Sequence, residues 1–433
     1  MRPLRRRLAP LAVLLLAAPV RAENVEVLFE DVDGLRRGYT VLRVWGTPQE
    51  RGRALGTTFA QELTAELPKL RALPGYAWSA QVASQASWPA EVAEELAAMA
   101  EGIRAAAPGS TVTLADLQTL NGLDWTFGDA CRSHSCWGRY VEAPVRTLST
   151  RRLDLETPFD LALHHVVVLF EPDSGPRWLN VAWPGFVTAI TAVDARGTLV
   201  SLHDFEGTQV ARPGVTFRGI AARQALTSPA AGDAAARRDE AAALLSSLPL
   251  ATSTFLNYYA PEGEGGVFTC AAGVGCAAPR RPQPGYFSGE VLVTSNSQTD
   301  GWSVPAGAEF IDAYYRQGGV KRLADHFALM GGSGLHLVSV EYRAESDLTV
   351  WIHGRGRGDV LRLEWGSAGV GVDTVAPKGC GCGEGGAPLP IFAAAALSLG
   401  LVRARRASIP AGAGPGAVGD ARAGARRSPR TCR

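Results

Sequence analysis

The residues best suited to chemistry lie between Cys131 and Asp154. Cys131 is followed by Ser133, His134 and Ser135, then by Cys136-Trp137-Gly138, and after one strand and turn by Arg151-Arg152-Leu153-Asp154. A thiol is a nucleophile only as the thiolate, and neighbouring cations shift it toward that form. Arg151 and Asp154 sit at a strand-to-loop transition from which a cation and a carboxylate can reach one point. The same residues, taken alone, also suit a buried structural cysteine beside a surface ion pair. Cys136 is a second candidate thiol: it stands 18 residues before Asp154, whereas Cys131 stands 23 before it and six before Trp137. His134 falls on the next pleat of the strand that Cys131 would open, which speaks against a papain-like dyad. His164-His165 reads as core packing and its opposite face. His203, His326, His336 and His353 have no metal-ligand spacing.

The wider pattern is more specific. Ala130-Cys131-Arg132-Ser133-His134-Ser135-Cys136-Trp137-Gly138, with Arg151-Arg152-Leu153-Asp154 behind it, resembles the Gly-Cys-Ser/Thr, Trp-Gly and Arg-Asn-Leu-Asp run of penicillin acyltransferase-like proteins. These are relatives of choloylglycine hydrolases and belong to the N-terminal nucleophile (Ntn) hydrolases. Upstream, Glu50 to Gly56, Glu94 to Gly102 and Asp116 to Asn121 look like the family's pro-segment. Downstream, Ala182-Trp183-Pro184-Gly185-Phe186, Val293-Thr294-Ser295-Asn296 and Leu335 to Val340 follow in the family's order, so that the resemblance covers about residues 40 to 355.

The resemblance implies a precursor that cuts itself before Cys131, making that cysteine a new N-terminus. Its α-amine, with an ordinary pKa of about 7.7 to 8.0, can then serve as base for its own thiol. Asp154 would orient the amine, Arg151 would hold the thiolate and the substrate end of the pocket, and Asn296 would donate to the oxyanion. No metal or organic cofactor is implied. The expected activity is hydrolysis or transfer of an acyl group from a small-molecule N-acyl amide through a Cys131 thioester. A lipid or ester hydrolase on the same fold, or an inactive surface-displayed binding module, are the other readings. Several positions depart from the family. Ala130 replaces Gly, Arg152 replaces Asn and brings a second cation toward the thiol, and Ser295-Asn296-Ser297 replaces Thr-Asn-His. Ala192 to Gly197 replaces a Gly-Met-Asn-Glu-Lys-Gly type turn, and the family's late Arg has no counterpart.

The ends of the chain read as addresses. Residues 1–22 combine Arg2, Arg5, Arg6 and Arg7 with an apolar run and Val20-Arg21-Ala22, the pattern of a secretory signal peptide. Residues 378–406 join Gly379-Cys380-Gly381-Cys382-Gly383 to a short apolar run and Arg403-Ala404-Arg405-Arg406. That arrangement resembles the tripartite C-terminal sorting tails of myxobacterial surface proteins. It implies a sorting-tail protease or anchor machinery as partner and delivery to the cell surface or outer membrane, with the periplasm or extracellular space as the other exported destinations. Residues 407–433 read as a disordered basic extension. With both basic ends set aside the body is acidic, which excludes nucleic acid as its main partner. In an oxidising compartment Cys270 and Cys276 could close a disulfide across a turn.

The elements that must hold these residues follow from hydrophobic periodicity. A strand over 41–45 leads into helix patterns over 51–67, 89–107 and from the N-cap Thr113 to 120. After Cys131 come strand-like runs at 162–170, 178–183, 188–193, 198–203, 290–294, 335–342 and 348–353, interrupted by helices near 216–226, 233–248 and 310–329. Residues 23–130 thus form a mainly helical pro-segment, the small chain after autocleavage, and 131–377 the catalytic chain with which it stays associated. A chain that is 46% hydrophobic has ample material for such a core. The expected fold class is α+β; a four-layer αββα sandwich is what the family resemblance implies.

Overall fold

The computed structural model describes residues 23–375 except 34–37, 74, 123–130, 155–162, 231, 283–288, 297–308, 331–333 and 356. The leader, Ala130, Ser297, the Cys380–Cys382 hinge and the rest of the tail and extension lie outside the described residues. The chain opens with strands β1 (Val25–Val32) and β2 (Gly38–Gly46), then helices α1 (Pro48–Thr58), α2 (Ala60–Arg71), α3 (Tyr76–Gln85), α4 (Ala90–Ala106) and α5 (Leu114–Leu120). Next come strands β3 (Arg132–Trp137), β4 (Thr147–Leu153), β5 (His164–Pro172), β6 (Trp178–Ala182), β7 (Thr191–Asp194) and β8 (Leu199–Gln209). Helices α6 (Arg218–Thr227) and α7 (Ala234–Ser247) precede β9 (Thr252–Tyr259), β10 (Gly266–Ala271), β11 (Gly275–Cys276) and β12 (Val291–Ser295). Helices α8 (Glu309–Arg316) and α9 (Leu323–Met330) lead to β13 (His336–Ala344), β14 (Asp347–Gly354), β15 (Val360–Gly366) and β16 (Gly369–Val375).

The strands form two sheets. One runs β1-β2-β5-β6-β7-β8-β9-β10-β11 and the other β12-β3-β4-β13-β14-β15-β16. Side chains alternate between the two faces of a strand, and both sheets use this to bury both faces. Leu42 and Val44 of β2 pack with Leu55, Leu63, Leu96 and Met99 of the helices, while Tyr39 and Val41 of the same strand pack inward. There Val41, Val167, Leu169 and Val181 meet Val338, Val340, Val350, Ile352 and Leu363 of the second sheet. The outer face of that second sheet, with Cys136, Leu148, Val291 and Val293, is covered by Ile311, Tyr315, Phe327 and Met330 of α8 and α9. Helices, sheet, sheet and helices therefore succeed one another: the fold is α+β, a four-layer αββα sandwich with three apolar seams.

Residues 23–130 are more than a helical cover. Through β1 and β2 they supply one end of the nine-stranded sheet, and β2 pairs in parallel with β5 over Gly38↔His164 to Gly46↔Pro172. Helix α1 lies so close to α4 that a Cβ at Gly52 or Gly56 would collide with the carbonyls of Glu95 or Met99. Buried charge completes the junction. Arg51 of α1 reaches Glu91 at 2.8 Å, and Arg223 of α6 reaches Glu95 at 2.6 Å and Glu91 at 2.9 Å. Asn121, at the end of α5, accepts from the backbone N–H groups of Val187 and Thr188 at 2.8 and 3.1 Å and donates to Gly185 O at 2.9 Å. That one side chain joins the Asp116–Asn121 motif to the Trp183–Phe186 motif.

Two helix readings divide in the structure. The pattern over 51–67 belongs to α1 and α2, joined at Phe59. The pattern over 310–329 belongs to α8 and α9, separated by Gly318 and Gly319 at φ 69° and 78°, a backbone conformation that glycine adopts without cost. Thr113 is an N-cap as expected: its hydroxyl accepts from Asp116 N, and the Asp116 carboxylate accepts from Thr113 N at 2.8 Å. Cys270 and Cys276 form a disulfide between β10 and β11.

Candidate active site

Cys131 stands one residue before β3, which lies between β12 and β4. The register on the β12 side pairs Ser295 with Arg132, and the next step sets Asn296 against Cys131. Its Oδ1 accepts from the Cys131 nitrogen at 3.2 Å. On the other side Ser133 pairs with Arg151, a diagonal neighbour of Cys131 on the same face. Arg151 Nη2 donates to Cys131 Sγ at 3.3 Å and to Leu202 O at 3.0 Å. Three of the four residues singled out in the sequence, Cys131, Arg151 and Asn296, are thus joined by hydrogen bonds.

Asp154 takes a different partner. Its carboxylate accepts from Arg152 Nε at 2.6 Å, and Arg152 Nη1 donates to Met330 O at the end of α9 at 2.7 Å. Among the described residues no hydrogen bond joins Asp154 to Cys131. The expectation that Arg152 brings a second cation to the thiol does not hold. Strand alternation sends Arg151 inward and Arg152 outward to α9, where Asp154 and a helix C-terminal carbonyl take up its charge.

The same alternation separates the two cysteines. Ser133, on the inner face, bonds His203 Nε2 at 2.7 Å. His134 and Cys136 project outward, where His134 Nδ1 bonds Tyr315 OH at 2.7 Å and Cys136 Sγ lies 3.8 Å from His326 Nε2. Burial pushes the Cys136 thiol up to about 12, so it stays protonated at neutral pH. Burial also drives His134 down to about 3. His134 is a neutral core residue on the far face of the sheet from the Cys131 side chain.

Arg151 is wholly buried, and among the described residues no carboxylate pairs with it. Its partners are the Cys131 sulfur, the Leu202 carbonyl and His336 Nε2, the last at 3.3 Å. Sequence reasoning did not assign His336, His203 or Ser133 to the site. Pairing of β13 with β4 sets Val338 against Arg151 and His336 against Leu153, which places His336 beside the guanidinium, and the Leu335–Val340 motif carries no sequence signal of that pairing. His164, read as core, bonds Glu62 at 2.9 Å and Thr40 at 2.8 Å.

No protein-family model matches the chain, and neither does any curated protein. Among solved structures it is similar to an N-acylethanolamine-hydrolyzing acid amidase ortholog from Caenorhabditis elegans, with 13% identity and a TM-score of 0.38, over 49% of this chain and 92% of that one.

Proposed function

We propose that the chain is an exported, self-processing Ntn amidohydrolase or acyltransferase that acts on an N-acyl amide through a thioester at Cys131. The observation that carries this reading is the buried Arg151 guanidinium, without a carboxylate partner among the described residues, 3.3 Å from Cys131 Sγ. A buried cation costs several kcal/mol unless countered, and a thiolate at that sulfur is the counter-ion the site can make. Arg151 therefore favours the reactive form of Cys131.

In the precursor, Cys131 Sγ attacks the Ala130 carbonyl, the peptide nitrogen leaves as the amine of Cys131, and water hydrolyses the resulting thioester. The new α-amine takes the thiol proton in the next reaction, so nucleophile and base reside on one residue. Attack on a substrate amide gives a tetrahedral oxyanion. Asn296 suits both ends of this step: its Oδ1 fixes the Cys131 nitrogen, and its Nδ2 is the end that would donate to the oxyanion. The protonated amine then hands its proton to the leaving amine of the substrate. The acyl thioester passes its acyl group to water or to an acceptor amine. The orienting role expected of Asp154 requires its carboxylate to exchange Arg152 for the α-amine that cleavage creates.

The signal-like leader and the Cys-Gly tail support a cell-surface location in this reading, and a disulfide at Cys270–Cys276 suits an oxidising compartment. Incubating purified protein with a panel of N-acyl amino acids, conjugated bile acids, β-lactam side-chain amides and simple esters tests the activity. Release of amine that Cys131→Ala abolishes supports the reading. Ester cleavage alone favours the lipid-type enzyme, and inactivity of a correctly cleaved preparation favours the binding module.

A further inference from the structure

We propose that His336 is a positioning residue for Arg151: its imidazole takes the Nη1 end of the guanidinium as an uncharged acceptor, which turns the Nη2 end to Cys131 Sγ and leaves the positive charge for the sulfur. This rests on the reading of Cys131 as nucleophile.

Arg151 can only donate, since its guanidinium stays protonated. The contact of Nη1 with His336 Nε2 at 3.3 Å therefore requires a lone pair on Nε2 and places the ring proton on Nδ1. Thr191 Oγ1, from β7 across the sandwich, approaches the same Nε2 at 3.1 Å. Nδ1 is buried and has no hydrogen-bond partner among the described residues. One or both ring nitrogens of His134, His165 and His203 are likewise unmet, so what sets His336 apart is that its acceptor is held on the Arg151 guanidinium.

The surroundings keep the ring neutral. Burial lowers its pKa well below the usual value, and Arg151 and then His165 lower it further. His165 packs edge-on at 6.1 Å and is itself driven down to about 3 by burial. Facing Arg151 from the nine-stranded sheet is His203, held uncharged by burial and then by Arg151 and Arg218, the last of which pairs with Asp204. Arg152 and Asp154 engage each other on the other side of the seven-stranded sheet. The described groups around Arg151 are thus neutral acceptors, and none of them shares its charge.

The test is the ultraviolet absorbance of the thiolate, titrated with pH in the full chain, with Cys131→Ala as the blank. Cys136 does not interfere, since its thiol is pushed up to about 12. His336→Gln keeps a neutral acceptor and should titrate as wild type. His336→Glu places a carboxylate on the guanidinium and should raise the Cys131 midpoint by about one pH unit or more, within the 1 to 3 units that a close charge typically moves a neighbour. His336→Leu should raise it by less. Equal midpoints for the Gln and Glu variants, both with cooperative melts, would overturn the proposal and reduce His336 to packing. If the Glu variant does not fold, the Gln and Leu pair decides by the same criterion. The titration needs no substrate, and each variant is compared with wild type in the same cleavage state, read by denaturing electrophoresis. A chain that titrates as stated but turns over nothing contradicts the proposed activity alone, and an active chain with unmoved midpoints contradicts only the role of His336.

Discussion

Cys131 and Cys136, five residues apart, deliver their sulfurs to opposite faces of one sheet: the first lies 3.3 Å from Arg151 between the sheets, the second 3.8 Å from His326 beneath α8 and α9. An odd separation on a strand has this consequence whatever the residues between. One thiol hydrogen-bonds a cation; the other lies against His326 and Tyr315, and burial raises its pKa by more than Lys321 lowers it.

Substitution of the two cysteines should therefore have unequal effects. Cys131→Ala should leave the chain uncut and inactive. Cys136→Ala should be cut as wild type and lose only packing, about 1 to 3 kcal/mol as is common for a buried side chain. Denaturing electrophoresis and a thermal melt of each variant check both outcomes. An uncut Cys136→Ala chain with an unchanged melt would reverse the assignment.

Asn296→Ala should slow turnover by roughly 100- to 1,000-fold, the usual cost of one oxyanion donor. The loss should appear in kcat, because the contact strengthens as charge develops on the oxygen. A change confined to KM would place Asn296 in ground-state binding instead.

The Arg51–Glu91–Glu95–Arg223 cluster, buried except for Glu91, should hold residues 23–130 to the remainder after cleavage. Arg223→Ala leaves the buried Glu95 carboxylate with only the 3.5 Å contact to Arg51, a loss that approaches the roughly 3 to 5 kcal/mol typical of breaking a buried pair. In the cleaved protein it should release the small chain at concentrations where the wild type remains whole. Size-exclusion chromatography of cleaved material reads this directly; unchanged co-elution at all dilutions would rule the cluster out as the clamp.

Stability should fall in mild acid. Burial drives His134 and His165 down to about 3, and holds His203, His326 and His336 well below the ordinary value. Between about pH 6.5 and 3 the unfolded chain binds protons that the folded one does not, and stability declines as pH drops. The contribution is intact above about pH 7 and is lost through that window, by up to about 1.4 kcal/mol per pH unit for each histidine. Melting temperatures at pH 7.5 and 5.0 should differ accordingly, and a flat profile would contradict the buried neutral assignment.

What the sequence revealed was local. Alternating apolar runs marked β5, β6, β12, β13 and β14, and Thr113 announced its helix. Strand β1 was missed because its outward Glu26, Glu30 and Asp31 dilute the apolar signal. Strand β16, with its glycines and a largely exposed face, gave little to read. At the site, Cys131, Arg151 and Asn296 lay in motifs, but the expectation that Arg152 also meets the thiol overlooked two-residue alternation, which turns Arg152 to the other face. His336 did not stand out, because its place depends on the pairing of β13 with β4 across nearly two hundred residues. Such pairing has no local signature. The same holds for the parallel junction of β2 with β5, which makes residues 23–130 part of the sheet and not only a helical cover.

The most direct measurement is N-terminal sequencing of the larger fragment of the purified protein. Two fragments and the reading Cys-Arg-Ser-His are expected, with the cut between Ala130 and Cys131. A single intact chain, or a fragment beginning Cys-Trp-Gly-Arg, would contradict it.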